Sequence, residues 1–307
     1  MTAKIILNPY ANRWVASKRQ PELEAALHSS GMEYELTISE YIGHTIELAA
    51  QARQEGFSPI IAAGGDSTYN DVANGILQDP NQQELPIFGI MPMGTANDLA
   101  DNLGIPKDLY KAAQLIAQGH TRPLDVLQVN QRYFLNNSAV GLESVVSVIQ
   151  SETKYLRGIF RYLAATLLAI AQNPQWEMDL EWDTGQYSGP VTMVSVGNNP
   201  RTGGIFFTVP HASPFNGKLT FVYGSVETRL KILSVLPKIM KPAGEGNYIS
   251  HPNVHEIETQ NLTIRTRPST PVHADGEIIS KAIQSLTYKI HPARLQMLLP
   301  PIAAASS

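Results

Sequence analysis

An α/β domain followed by an all-β, sandwich-like domain is the architecture this sequence predicts, and three observations predict it. Over residues 1–124 short apolar runs alternate with segments of helical periodicity, the pattern of a layered α/β domain with mostly parallel strands. After Asp125 the runs become rich in β-branched and aromatic residues, with Gly, Asn and Pro between them. The length, 307 residues, exceeds what one hydrophobic core ordinarily fills, because cores rarely grow past about 250–300 residues.

The elements follow in order. Ile5-Ile6-Leu7 is a first strand stopped by Asn8-Pro9. Residues 22–29 place Leu23, Ala26 and Leu27 at helical spacing, with Gly31 just past the end. Residues 34–38 form a strand, and 44–55 a helix closed by Gly56. A buried strand over 59–63 runs into Gly64-Gly65, and helical spacing resumes over 68–77. A strand over 87–91 runs into Pro92-Met93-Gly94, before a helix over 96–103. Two successive strand–glycine loop–helix units put both loops at the carboxyl edge of one sheet, where open α/β sheets bind ligands. Beyond Asp125, residues 133–135, 191–196, 219–223, 262–266 and 286–290 read as strands, interrupted by helical segments over 155–171 and 229–240. The tail 303–307 is expected to fray.

Composition narrows the function. With 23 Lys+Arg against 27 Asp+Glu the net charge is −4, which excludes a nucleic-acid binder held by bulk charge. Absence of cysteine excludes disulfides, thiolate nucleophiles and Cys-ligated metals. No basic-then-apolar leader is present, and the longest apolar run, 162–171, is too short for a bilayer, so a cytoplasmic protein is expected.

The stretch Gly64-Gly65-Asp66-Ser67-Thr68-Tyr69-Asn70 joins a buried strand to a helix start, where glycines let backbone N–H groups approach an anion. It is neither a P-loop nor the spaced three-glycine dinucleotide fingerprint. An acidic residue inside a phosphate loop repels the ligand unless a cation lies between, so Asp66 implies Mg²⁺; the plain alternative is a tight turn in which Asp66 caps the helix. Gly94-Thr95-Ala96-Asn97-Asp98 repeats the logic, with Thr95 or Asn97 as an ordinary cap the alternative. Far along the chain, Asp275-Gly276-Glu277 offers two carboxylates for a general base and its neighbour, although such a tripeptide alone is usually a turn.

Together these residues resemble the diacylglycerol kinase catalytic-domain family, in particular its soluble bacterial lipid kinases, over almost the whole chain. Asn8-Pro9 matches the first nucleotide loop, Gly64 to Asn70 the Gly-Gly-Asp-Gly-Thr signature, and Gly94 to Asp98 the Gly-Thr-x-Asn-Asp signature. Pro123-Leu124-Asp125 matches the link between domains, Asn198 with Gly203-Gly204 a lipid-domain motif, and Asp275-Gly276-Glu277 the catalytic motif. The resemblance implies an ATP-binding domain like that of the NAD kinase and phosphofructokinase group over 1–124. A β-sandwich lipid domain over 125–290 and a strand over about 291–307 returning to the first domain complete it. It implies ATP contacts at Asn8, Pro9, Asn12, Ser39, Gly64, Gly65, Asp66, Ser67, Thr68, Asn70, Gly94, Thr95 and Asn97, with Asp66, Asp98 and Asp125 around the nucleotide Mg²⁺. Asp275 or Glu277 takes the proton from the lipid hydroxyl as it attacks the γ-phosphate. A homodimer follows from the resemblance alone.

Three positions depart from that pattern. Ser67 replaces a glycine, at a cost of about 1–3 kcal/mol if the position needs positive φ. The first loop lacks a glycine, although Asn12 tolerates left-handed geometry. Where the family has an Asp-Gly motif for a structural Mg²⁺, this chain has Ser213, Asn216 and Lys218, so a weak or empty site is expected.

Residues 229–241 interleave Leu230, Ile232, Leu233, Val235, Leu236, Ile239 and Met240 with Arg229, Lys231, Lys238 and Lys241, a pattern suited to anionic lipid or to a helix packed on the sandwich. No histidine pair has zinc-ligand spacing. The leading expectation is an ATP- and Mg²⁺-dependent kinase acting on diacylglycerol, phosphatidylglycerol or a sphingoid base, peripherally associated with the membrane. A catalytically weak nucleotide or lipid sensor, motivated by Ser67, Asn12 and Asn216, is the rival from another class, and an NAD kinase the enzymatic one.

Overall fold

The computed structural model describes residues 2–79, 84–152, 158–172, 174–226, 228–244 and 246–301. Two compact units result, Met1–Leu124 with Ala293–Ser307, and Asp125–Pro292.

The first unit is built on β1 (Ala3–Leu7), β2 (Tyr34–Ile38), β3 (Ile60–Gly64) and β4 (Phe88–Pro92), parallel and in the order β2-β1-β3-β4. Around them lie α1 (Ala11–Lys18), α2 (Gln20–Ser29), α3 (His44–Gln54), α4 (Asp66–Ile76), α5 (Asp98–Asn102) and α6 (Leu109–Gln118). Strands β1, β3 and β4 are buried along their whole length, as a parallel sheet covered on both faces requires. Ile5, Leu7, Ile61, Ala63 and Met91 share one core with Leu23 and Leu27 of α2 and Ala113 and Ile116 of α6. Each leucine, isoleucine or methionine among them contributes roughly 1.5–3 kcal/mol relative to exposure. Because β1 lies between β2 and β3, the direction of crossover reverses there, and the loops after β1 and β3 flank the switch point.

The second unit holds β5 (Thr121–Val129), β6 (Arg132–Phe134), β7 (Asn137–Gly141), β8 (Trp176–Trp182), β9 (Gly185–Val191), β10 (Met193–Gly197), β11 (Leu219–Gly224), β12 (Val254–Thr259), β13 (Asn261–Ala274) and β14 (Glu277–Leu298). Strand order is β12-β11-β10-β7-β13-β14, with the β8–β9 hairpin on β13 and the β5–β6 hairpin on β14. Register shifts between Arg265 and His273 bend β13, so its first half pairs with β8 and its last residues with β7. Phe134, Met178, Val196, Phe221, Ile264 and Tyr288 fill the core between these strands. Strand β14 leaves this unit at Pro292; Ala293 takes a positive φ, and Met297 pairs in parallel with Phe88 of β4 in the first unit.

Among the described residues three α-helices join the sandwich, α7 (Leu142–Glu152), α8 (Gly158–Gln172) and α9 (Arg229–Ile239). Helices α6 and α7 are additional to those expected from the sequence, and in α7 a Val-rich stretch masks the helical period. The expected strand 191–196 is interrupted at Thr192, whose hydroxyl donates to the Val226 carbonyl and accepts the Val226 N–H. The helix expected from 96 begins at Asp98, because Asn97 is left-handed. Residues 155–157 of the expected helix 155–171, and the tail 303–307, lie outside the described residues. No described helix is long and apolar enough to cross a membrane.

Candidate functional site

In the first unit, the glycine loops after β3 and β4 touch through their backbones. A Cβ on Gly94 would lie 2.4 Å from Gly65 Cα and 2.6 Å from Asn97 Oδ1, and one on Gly65 would lie 3.0 Å from Gly94 Cα. No side chain fits at Gly94 without moving the facing loop, and at Gly65 one would be tight against Gly94. Asn97 fastens the second loop: its Oδ1 accepts the Gly94 N–H at 2.9 Å and the Tyr69 hydroxyl at 3.1 Å. Tyr69 also donates to the Gly64 carbonyl at 2.9 Å, and burial pushes its hydroxyl well above the usual tyrosine range, so it stays a donor.

Asp66 opens α4, and its Oδ1 accepts the Leu99 N–H at 3.0 Å, across from the first loop to the second. Burial pushes this carboxyl up, while backbone N–H groups of Leu99, Asp98, Asp66 and Asn97 pull it back in part. Asp66 therefore does not cap its own helix, whose N-cap is Gly65, but reaches the start of α5, and it stands beside Asp98 at the same loop junction. Ser67 lies in the first turn of α4 and is absent from the residues with positive φ, so the strain expected there does not arise.

The loop after β1 joins the same edge. Asn8 donates from Nδ2 to Thr68 Oγ1 at 3.0 Å, and its Oδ1 accepts the Tyr10 N–H at 3.0 Å, turning the chain at Pro9. Asn12 Oδ1 accepts the Thr95 hydroxyl at 2.8 Å. The left-handed geometry foreseen for Asn12 extends through Arg13 and Trp14, a strained turn inside α1. Buried Ser39 donates its N–H to the Leu7 carbonyl at 2.9 Å, and buried Asn70 accepts from Asn74 at 3.0 Å one turn further along α4.

In the second unit, Asp275 is buried and left-handed. Its Oδ1 accepts the N–H groups of Asn136 and Asn137 at 2.9 Å each, and its Oδ2 that of Leu135 at 2.8 Å. Half-buried Glu277 accepts from Arg132 at 2.8 Å. Arg132 was not singled out in the sequence; 145 residues separate it from Glu277, and no local signal marks it. Another unforeseen residue is Glu143, buried at the start of α7, which accepts from Ser195 and, at 3.3 Å, from Asn137 Nδ2. His273 Nε2 lies 3.7 Å from Glu143 Oε1, and both its ring nitrogens are buried without a hydrogen bond. Glu143 is the acidic residue in the wall of an otherwise apolar cavity of about 80 Å³, lined among others by Leu142, Val146, Met193, Ile232 and Leu236.

Asp125 is tied into the second unit: its N–H donates to the Pro214 carbonyl at 2.9 Å, its Oδ2 accepts the Gly217 N–H at 2.7 Å, and its carbonyl accepts Asn198 Nδ2 at 2.7 Å. Beside it, exposed Asn216 accepts the Lys218 N–H, and both Asn216 Nδ2 and Lys218 Nζ donate to Glu258, at 3.1 and 3.0 Å. An ammonium already neutralises the carboxylate there, so Ser213, Asn216 and Lys218 do not fit a structural divalent cation. Among the described residues no group of three or more His, Asp or Glu side chains is placed to hold a metal alone. The glycine cradle at the start of α4, with the oxygens of Asp66 and Asp98 beside it, does fit a phosphate chain carrying its own cation.

Comparison with known proteins bears on both units. Residues 2–129 match the family described as diacylglycerol kinase catalytic domain, and residues 137–299 the YegS C-terminal NAD kinase beta sandwich-like domain. The diacylglycerol kinase of Staphylococcus saprophyticus is 30% identical over 276 residues, covering 90% of this chain and 88% of that one. That of Staphylococcus carnosus has the same identity and coverage. The crystal structure of a diacylglycerol kinase from Bacillus anthracis superposes with a TM-score of 0.76 at 20% identity, over 98% of this chain and 97% of that one, which establishes likeness of fold.

Proposed function

The chain belongs to the diacylglycerol kinase catalytic-domain family and is a lipid kinase, and from that membership we propose that it transfers the γ-phosphate of Mg·ATP to the hydroxyl of diacylglycerol or a related lipid. The observation that carries the reading is the backbone contact of Gly94 with Gly65, whose loop flanks the sheet's switch point, a phosphate cradle with no room for a Cβ.

Bound Mg·ATP supplies the phosphoryl group and the cation that spreads its charge. The chain's own part begins with the start of α4, whose N–H groups and dipole receive the phosphates. Asn8, Pro9, Asn12, Ser39, Thr95 and Asn97 shape the remaining nucleotide contacts, with Gly64, Ser67, Thr68 and Asn70 along the first loop. Asp66 and Asp98, with Asp125 to which the resemblance gives the same role, are the oxygen donors assigned to Mg²⁺. In the second unit the apolar cavity behind α7 takes acyl chain, and the Asn137 link runs from its Glu143 wall to Asp275. The hydroxyl proton passes to one of two carboxylates, Asp275 or Glu277, as the oxygen bonds to the γ-phosphorus and ADP departs with the bridging oxygen. With Ser67 unstrained, the sensor reading loses its main motive.

The test is transfer of labelled γ-phosphate to a panel of lipids in mixed micelles, with NAD as a further acceptor and Asp275→Ala as control. Transfer to a lipid that vanishes in the control supports the proposal. Absence of transfer with ATP binding intact, or transfer to NAD alone, overturns it.

A further inference from the structure

Four asparagines are buried in one patch of the second unit: Asn136 and Asn137 where the chain enters β7, and Asn198 and Asn199 just past the end of β10. A primary amide is costly to bury unless its hydrogen bonds are made, and apolar residues fill a core more cheaply. The function described above gives the second pair no part.

Their bonds run to one place. Residues 135 and 136 form a bend between β6 and β7 and belong to neither strand, so the polar groups of that backbone need partners outside the ladder. The segment after β10 supplies them. The Leu135 carbonyl accepts Asn198 Nδ2 at 3.2 Å and Asn199 Nδ2 at 3.0 Å, and the Asn136 carbonyl accepts the N–H groups of Asn198 at 2.9 Å and Asn199 at 3.3 Å. Asn136 Nδ2 in turn donates to the Arg201 carbonyl at 3.2 Å. Thr202 donates its hydroxyl to Asn137 Oδ1 at 3.0 Å, which turns Asn137 Nδ2 toward Glu143. Held in this way, the bend directs the N–H groups of Leu135, Asn136 and Asn137 at the Asp275 carboxylate. Successive N–H groups gathered on one anion make a nest.

Stapling the bend for stability alone needs one partner for each carbonyl. Here the Leu135 carbonyl has two, and the Thr202 hydroxyl goes to a side chain, so the extra bonds fix direction. Direction matters because a carboxylate that takes a proton from a hydroxyl must lie within hydrogen-bond reach of it, and a displacement of about 1 Å costs about a hundredfold in rate.

We propose that Asn199 and Thr202 are positioning residues for phosphoryl transfer: through the bend 135–137 they fix the direction of the Asp275 carboxylate and favour its charged form. The inference rests on the lipid-kinase reading, in which Asp275 is one of two carboxylates able to take the hydroxyl proton. The charged and titratable groups around it are Glu143 on α7, His273 on β13, the Arg132–Glu277 pair of β6 and β14, Arg201, and Asp125 beyond Asn198. The variants that test the proposal leave all of them in place.

Thr202→Val exchanges the hydroxyl for a methyl, Thr202→Ser keeps it, and Asn199→Leu removes one of the two amides on the Leu135 carbonyl. Two readouts are taken on the full-length protein. One is the titration of the Asp275 carboxyl by carbon-13 NMR, assigned with Asp275→Asn. The other is kcat and KM against pH for transfer to a short-chain diacylglycerol, with kcat corrected for the folded fraction. Hydrogen bonds to the charged form favour it, so loosening the nest should raise the Asp275 titration midpoint by about half a pH unit or more in Thr202→Val and Asn199→Leu. The acid limb of kcat should rise with it, kcat should fall about tenfold, and KM for lipid and for ATP should stay within about twofold of wild type. Thr202→Ser should behave as wild type in both readouts.

If Asn199→Leu does not fold, Thr202→Val against Thr202→Ser decides alone. A midpoint that stays in place in Thr202→Val overturns the proposal, as does a midpoint that moves while the kcat profile does not. So does a Thr202→Ser protein as impaired as Thr202→Val. Failure of the kinase reading is separate: wild type would then transfer phosphate to no lipid, while the NMR midpoints, which need no turnover, would still show whether the segment after β10 governs the carboxylate.

Discussion

Asp66 and Asp275 are both carboxylates held by backbone N–H groups, but the two units hold them in different ways. Asp66 is half-buried and reaches Leu99, 33 residues on, across two loops whose glycine backbones touch. Asp275 is buried and gathers three N–H groups from Leu135 to Asn137, about 140 residues back in the chain. The first arrangement is made by removing side chains, so that the backbones of two loops meet at one edge of the sheet. The second is a cross-link between distant strands, in which one side chain serves both the fold and the chemistry. Binding and stability should therefore separate in the first unit and fall together in the second.

The largest effect expected is at Asp275. Alanine there leaves three buried N–H groups unsatisfied, each worth about 1–3 kcal/mol, so urea unfolding should show a loss of about 3 kcal/mol or more. Phosphoryl transfer should fall at least about a hundredfold. Asp275→Asn sharpens the point: its single acceptor oxygen can serve Asn136 and Asn137, but its amide then faces the Leu135 N–H. Part of the stability should return without the activity. A variant that is fully stable yet inactive would break the comparison, because the side chain would then serve the chemistry alone.

Gly94→Ala comes next. Its Cβ would fall 2.4 Å from Gly65 Cα, and overpacking of this kind costs about 1–3 kcal/mol. The loops can separate to relieve it, so calorimetry should find ATP binding weakened about tenfold while unfolding shifts modestly. Ser67→Gly, beside it, should change activity by less than about twofold, since Ser67 is helical and no strain is released. A marked gain would return the sensor reading to the first rank. Arg132→Ala releases Glu277 from a partly exposed ion pair, so stability should change by less than about 1 kcal/mol. If Glu277 takes part in the proton transfer, the pH profile of transfer should move in this variant and stay still in Lys218→Ala, which frees Glu258 instead.

Legibility follows the same division. Gly64-Gly65-Asp66 and Gly94 to Asp98 could be read because a strand, a glycine loop and a helix start lie within a dozen residues, and local chemistry decides each. Asp275-Gly276-Glu277 was readable as a motif, but not what surrounds it. Arg132, Glu143, Ser195 and His273 acquire partners from strands and a helix far apart in the chain, and a sequence does not display that closure. Helix α7 was hidden by its valines, and β14 by its length: a 22-residue strand shared by two units reads as two separate runs. The helix 229–240 was legible in outline, and the structure adds that it has both a packed side and an exposed apolar one.

The smallest effect expected is at a third carboxylate, which serves as the control for the other two. Asp183 sits at the turn joining β8 to β9 and accepts from Thr259 Oγ1 at 2.6 Å, from the Gln260 N–H at 2.7 Å and from Asn261 through its N–H and its side chain. Side-chain hydrogen bonds from Thr259, then Asn261, lower its carboxyl to about 2. A depressed carboxyl stabilises the fold fully above its unfolded value, about 3.9, and loses that contribution as pH falls toward 2. Asp183 is exposed, so water screens these bonds and replaces them when they break. Asp183→Asn should lower the unfolding midpoint slightly at neutral pH, with the difference from wild type shrinking as pH falls from about 4 to about 2 and no change in phosphoryl transfer at any pH. If Asp183→Asn were as damaging as Asp275→Asn, the number of backbone donors rather than burial would set the cost, and the contrast between the two units would lose its physical basis.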